Sequence, residues 1–375
     1  MALKRILTVI LVSTTFFGCA ASHFPDRSGD ARYDADTAEV VAELAKPPGN
    51  IAVSPDHRVF FTFHPEANPE IKVAELIEGR AVAFPHSDFQ QRQKARPFFD
   101  TVLSLRVDLQ DRLWTLDHGN FGRGKPMLLA FDIQTGEMLH RYDFPSDIAG
   151  FGSFLNDFQV TAAGDVIFIA DTGAPVPVIG GSPAIIVYDV NKKTARRVLV
   201  GHASVKASSH AVRVEGEKLS IMGIPIRIAL DSIALDREGR WLYYGALNGE
   251  NLYRVLAEDL LDPDLGDAEL GARIEKYAKK TMSDGITIDL EGNIYLSDME
   301  HSAIHMITPG RQLHTLLKDP RFRWPDGFSF GPDGWLYFTC SDLMNVIGKS
   351  RRHVAANAPY PIFRFKPGYE GIPGH

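Results

Sequence analysis

The chain has 375 residues, 45% hydrophobic and 23% charged, with a formal net charge of -7, 32 Gly, 23 Pro and 2 Cys. That balance supports a large buried core and excludes a nucleic-acid partner, because no basic stripe offsets the acidic excess and the densest basic run is KSRRH from Lys349. Two cysteines are too few for a disulfide framework or a zinc cluster, so stability must come from packing, and Cys340 reads as a small buried apolar side chain.

Taken from its start, the chain opens with Lys4 and Arg5, then the apolar run ILTVILV from Ile6, then STTFFGC ending at Cys19. A charged start, a short apolar core and the small Gly18 before Cys19 describe an export signal over residues 1–18 rather than a membrane span. The Cys after Gly18 resembles the lipobox of bacterial lipoproteins, with Phe16 where Leu is usual. On that reading Cys19 is the lipidation site, residues 19–36 are a lipidated tether, and the protein is an exported bacterial lipoprotein, periplasmic or at the cell surface. An ordinary secretory signal, with Cys19 incidental, is the alternative.

Residues 37–375 read as one all-β domain built from a repeated hairpin. SPDHRVFFTF from Ser54, DLQDRLWTLD from Asp108, TAAGDVIFIAD from Thr161, DREGRWLYYG from Asp236, SDGITIDLEGNIYLSD at 283–298 and PDGFSFGPDGWLYFTC at 325–340 each place two alternating strands about a tight turn. The turn falls at His57, Asp111, Gly164, Gly239, Gly292 and Gly334, so successive intervals are 54, 53, 75, 53 and 42 by subtraction. That is the period of propeller blades with one insertion after the third, and it predicts a six-bladed β-propeller rather than a β-sandwich. The insertion includes KLSIMGIPIRI, expected as an extra hairpin. The charged stretch 257–280 is expected to hold a short helix, and AEVVAEL from Ala38 to supply the fourth strand of the last blade beside PIFRFK.

The repeat also sets a register. Counting eight residues back from each turn gives Gly49, Leu103, Asn156, Asp231, Asp284 and Asp326, the residues that enter each blade's inner strand at one mouth of the channel. Asn156, Asp231, Asp284 and Asp326 therefore share one rim. Converging oxygens of this kind repel unless a cation, water or protons intervene, and hard oxygen donors favour Ca²⁺, Mg²⁺ or Mn²⁺. Asp284 and Asp326 each precede a Gly, so ordinary Asp-Gly turns compete as an explanation for those two. Six or seven residues after the turns come Asp117, Asp298 and Asp171, with His118 beside the first. These four are candidate ligand-binding residues on the same face, weighed against solvated or strand-capping side chains.

LNDFQV at 155, IADTG at 169, AIIVYDV from Ala184 followed by RVLVGHASV, IALDREGRWLYYGALNGENLYRV from Ile233, and the SDGI and WPDG repeats together resemble the Yellow and major royal jelly protein family, in its bacterial branch, over roughly residues 100–366. The resemblance implies a six-bladed propeller with a ligand-binding channel; some insect members are associated with dopachrome conversion, and salivary relatives bind biogenic amines. A more distant resemblance is to gluconolactonase and regucalcin propellers, which implies a divalent cation held by a Glu, two Asn and an Asp that also acts as base. Asn156, Asp231 and Asp284 stand at matching blades, with Asp284 as the proton shuttle, but Gly49 stands where the Glu is expected and Asp231 where an Asn is.

Three functions are therefore open: a tautomerase or lactone hydrolase acting on a small molecule in the channel, a binder of amines or other small ligands, and a surface protein whose propeller faces engage another protein. No GxSxG elbow and no phosphate-binding glycine loop is present.

Overall fold

The computed structural model describes residues 24–93, 97–174 and 181–375; the export signal and Cys19 lie outside them. Six four-stranded antiparallel sheets form the six blades of a β-propeller. Their inner strands are Pro48–Val53, Val102–Val107, Leu155–Val160, Leu230–Leu235, Ile286–Ile288 and Pro325–Phe330. Each inner strand packs on the next, and Pro48–Val53 also packs on Pro325–Phe330, so the ring of inner strands is continuous.

The turn chemistry explains the hairpins. His57, Asp111, Gly164, Gly239, Gly292 and Gly334 all have φ between 55° and 83°, the left-handed region that Gly adopts freely and Asn, Asp and His tolerate. Inner strands are buried on both faces because each blade is covered by its neighbours. The outer strands are partly exposed.

Glu39–Leu44 pairs antiparallel with Tyr360–Phe365 and is the outermost strand of the sixth sheet. Upstream of it, residues expected as a free tether lie along blade five. Gly29 N–H donates to Thr315 Oγ1, the N–H groups of Arg32 and Tyr33 donate to the carbonyls of Thr315 and Leu316, and Phe24 packs edge-on against His210. Buried Phe24 and these backbone bonds are what fix the segment.

The 257–280 stretch holds two short helices, Ala257–Leu261 and Asp267–Ala272. The insertion folds as two small hairpins, Arg213–Val214 with Glu217–Lys218 and Ser220–Ile221 with Ile224–Pro225. Val212, Leu219 and Ile226 of this insertion pack with Met282, Met299, Leu343 and Val346, so it sits over one mouth of the channel. The other mouth is crossed by the last residues: Glu370 O accepts from Leu290 N–H, Gly374 O from Val107 N–H and His375 O from Phe330 N–H. Cys340 is buried. Among the described residues no helix is long and apolar enough to cross a membrane.

Candidate functional site

The rim residues sit at breaks in the ladders. Pairing between the inner and second strands shifts between Pro48 and Ile51, Val102 and Ser104, Leu155 and Phe158, Leu230 and Ser232, and Pro325 and Phe328. These bulges hold Gly49, Leu103, Asn156, Asp231 and Asp326, and a bulge frees a side chain from the pleat and re-aims it. Buried hydroxyls of the second strands then clamp the breaks: Thr62 Oγ1 donates to Leu103 O at 2.8 Å, Thr339 Oγ1 to Gly49 O at 2.5 Å, and Ser297 Oγ accepts from Asp284 N–H at 3.0 Å.

Gly285 and Gly327 are needed for close approach rather than for a turn. Neither has positive φ, and a Cβ would stand 1.9 Å from Asp326 O at Gly285 and 2.7 Å from Asn50 Cα at Gly327. The Asp-Gly pairs thus mark converging inner strands, which overturns the turn explanation for Asp284 and Asp326.

Asn156, Asp231, Asp284 and Asp326 line one cavity of about 90 Å³, with Leu103, His64 and His118. Ile221, Ile226 and Ile228 of the insertion and Leu343 and Ile347 of blade six cover it. Asn156 Nδ2 donates to Asp231 Oδ1, and Trp324 Nε1 donates to Asp284 Oδ2 at 2.5 Å. Trp324 does so from φ 52°, a strained setting for a bulky residue.

Burial pushes the carboxyls of Asp231 and Asp326 well up, and the negative charge of Asp284 raises both further. Burial also raises Asp284, but hydrogen bonds from Asp231 and Trp324 work against it. Asp231 is raised the more strongly of the two, which makes it the donor and Asp284 the acceptor of their hydrogen bond. Lys280, wholly buried nearby, is brought down to about 7 by burial while Asp231, Asp298 and Asp284 hold it up.

The mouth is aromatic, with Glu66 also in its lining. Burial lowers His64 to about 4 and His118 to about 3. His118 Nδ1 accepts from Phe121 N–H at 3.0 Å, which leaves the ring proton on Nε2. The rings of His118, Phe121 and Phe154 meet at 5.1, 4.8 and 4.9 Å between centroids.

The other three candidate ligand-binding residues turn away from the cavity. Asp117 accepts the N–H groups of Asp100, Thr101 and Gly119; Asp171 those of Phe154 and Gly173, with Arg197; Asp298 those of Glu300 and His301, with the His301 and His305 rings. Each binds the N–H two residues ahead, so the shared position is a loop-closing turn. Burial raises Asp117 to about 6, whereas Asp298, also pushed up by burial, is held at about 2 by hydrogen bonds from His301 and His305.

Sequence reasoning missed the layer beneath the rim. Arg106 Nη2 donates to both oxygens of Asp157, at 2.7 and 2.8 Å, and Nη1 donates to Asn50 Oδ1, while Ser104 Oγ donates to Asp157 Oδ1. A register one residue past the rim would have found Asn50 and Asp157. Trp324 stood out only within the WPDG motif, and nothing local marked it as a hydrogen-bond donor, because its partner lies 40 positions away.

By type, Asn156, Asp231, Asp284 and Asp326 could hold a cation. They do not fit one as arranged: among the described residues no group of three or more His, Cys, Asp or Glu stands close enough for metal ligation. Asp231 and Asn156 are bonded to each other, and Asp284 already accepts from Asp231 and Trp324. Gly49 offers no room for the missing carboxylate either, since its Cβ would lie 2.8 Å from Thr62 Oγ1. What the arrangement can do is give a proton from Asp231 and take one at Asp284 under an apolar cover.

A sequence model described as major royal jelly protein matches residues 101–317, 217 of the chain's 375 residues. Major royal jelly protein 8 of Apis mellifera is 25% identical over 167 residues, 43% of this chain and 39% of that protein. Major royal jelly protein 7 of the same species is 21% identical over 215 residues, 54% and 46% of the two chains. The match thus spans less than half the length of these relatives. Among solved structures, a luciferin-regenerating enzyme superposes with TM-score 0.57 at 12% identity, covering 90% of this chain and 97% of that one. A gluconolactonase from Xanthomonas campestris superposes with TM-score 0.54 at 13% identity, covering 87% and 89%. At these identities the structural likeness establishes the fold.

Proposed function

The chain belongs to the major royal jelly protein family, and from that premise we propose that its channel is a small-molecule site performing a tautomerase-type proton transfer. The observation that carries this reading is the buried, hydrogen-bonded pair of carboxyls, Asp231 and Asp284, in the lining of the covered cavity. Asp284, as base, removes a proton from a carbon beside a carbonyl or beside a double bond conjugated with one. The C–H electron pair moves into the new double bond, and the carbonyl oxygen takes the proton of Asp231. The proton then passes from Asp284 back to Asp231 across their hydrogen bond, which restores the pair, so no oxidant is consumed. Dopachrome is the first substrate to test, because the sequence resemblance implies it.

Purified protein is assayed for the decay of dopachrome absorbance. Asp284→Asn should lower kcat by about 100-fold, within the range of a lost general base. Wild-type decay no faster than buffer, for dopachrome and for other enolisable ring ketones, would sink the enzyme.

A ligand-binding reading is favoured by a separate observation: the His118, Phe121 and Phe154 rings stand at the mouth of the cavity that holds Asp284. An aromatic amine suits such a pairing. Dopamine binding at micromolar levels without turnover, weakened in Asp284→Asn, would select it. Export and anchoring through lipid on Cys19 belong to the same proposal, and Cys19→Ala should move the protein from the membrane fraction to the soluble one.

A further inference from the structure

Behind the turn that carries His118 and Phe121 lies a second concavity of about 600 Å³, inside the range of small-molecule sites. Arg92, Arg123, Lys125 and Arg141 border it, against one carboxylate, Asp100, with Phe98 and Met127 in its lining. Arg141 is occupied by Asp143 at 2.7 and 2.8 Å. Arg92, Arg123 and Lys125 form no ion pair among the described residues. Three cations without a salt-bridge partner among the described residues thus border one hollow of a chain with net charge -7, a local positive field that attracts an anion.

The backbone between the two hollows is strained. Gly119, Asn120, Phe121 and Gly122 have φ of 57°, 52°, 57° and 70°, a run of four left-handed residues. Two of them carry side chains, which are disfavoured there. The strain has a geometric result: Phe121 lines the central cavity while its neighbour Asn120 lines the basic hollow. Strain of this kind collects at binding sites.

We propose that this hollow binds a small organic phosphate monoester, its dianionic head held by Arg92, Arg123 and Lys125 and its apolar group against Phe98 and Met127. Guanidinium groups recognise phosphate through paired N–H donors. The site does not depend on the channel chemistry proposed above.

The test is calorimetric titration of the full chain with phenyl phosphate. Wild type should bind, with affinity falling as salt rises from about 20 to about 200 mM. The variant Arg92→Gln/Arg123→Gln/Lys125→Gln should bind at least about tenfold more weakly at an unchanged melting temperature, since all three side chains are exposed. Asp284→Asn should bind as wild type does, which separates this site from the channel. Absence of binding by wild type, equal binding by the triple variant, or equal affinity for inorganic phosphate overturns the proposal. Binding to phosphatidic acid vesicles without binding of phenyl phosphate overturns it in favour of a membrane surface.

Discussion

Substituting Asp231→Asn isolates the proton shared in the channel. Asn keeps the size of the side chain, can donate to Asp284 and can accept from Asn156, but it does not ionise. In the wild type, burial and Asp284 raise Asp231 well above 3.8. Above that pH the unfolded chain releases a proton that the folded chain keeps, so this carboxyl subtracts stability as pH rises, until the folded Asp231 also releases its proton. One such group changes stability by about 1.4 kcal/mol per pH unit. At ~2.1 cal/mol/K per residue, the unfolding entropy of 375 residues is about 0.8 kcal/mol/K, so the effect is about 1.7 °C in Tm per pH unit. Scanning calorimetry of both proteins at rising pH above about 4 should show the variant gaining on the wild type, by about that amount per unit while the folded Asp231 keeps its proton. The raised Asp326 is common to both proteins and cancels to first order. A difference in Tm that is flat with pH, or that narrows as pH rises, refutes the shared proton.

Gly285→Ala places a Cβ 1.9 Å from Asp326 O, so urea unfolding should show a loss of about 1–3 kcal/mol or more from overpacking; a loss below about 0.5 kcal/mol would mean the inner strands can separate. Asp157→Asn weakens the fully buried pair with Arg106 and should cost up to about 3–5 kcal/mol, whereas Arg106→Met with Asp157→Leu should cost less, because no charge is stranded. Equal losses by chemical denaturation would contradict that account. Gly49→Glu restores the ligand type expected of a gluconolactonase-like site, yet the Cβ meets Thr62 Oγ1 at 2.8 Å; millimolar Ca²⁺ should leave its melting temperature unchanged, and a rise of several degrees would show that the rim can rearrange around a cation.

Much of the architecture was legible from local rules. The six turn residues were identifiable because a left-handed position admits few residue types, and all six do adopt positive φ. The same spacing found Asn156, Asp231, Asp284 and Asp326, which do line one cavity. It failed for Asp117, Asp171 and Asp298, since a carboxylate after a strand reads alike whether it faces a ligand or closes its own loop. The basic hollow was invisible as well: Arg92, Arg123, Lys125 and Arg141 are scattered in the sequence, so a search for a basic run stops at Lys349.

The repeat, the blade boundaries and the register of the rim follow from local rules, because turn conformation and the two-residue pleat act over a few neighbouring positions. What the rim residues are depends on contacts between blades. Asp231 is raised further than Asp284 because inner strands 53 positions apart converge within reach of one hydrogen bond, in buried surroundings that disfavour two charges. Trp324 and the closing insertion complete that environment from other blades.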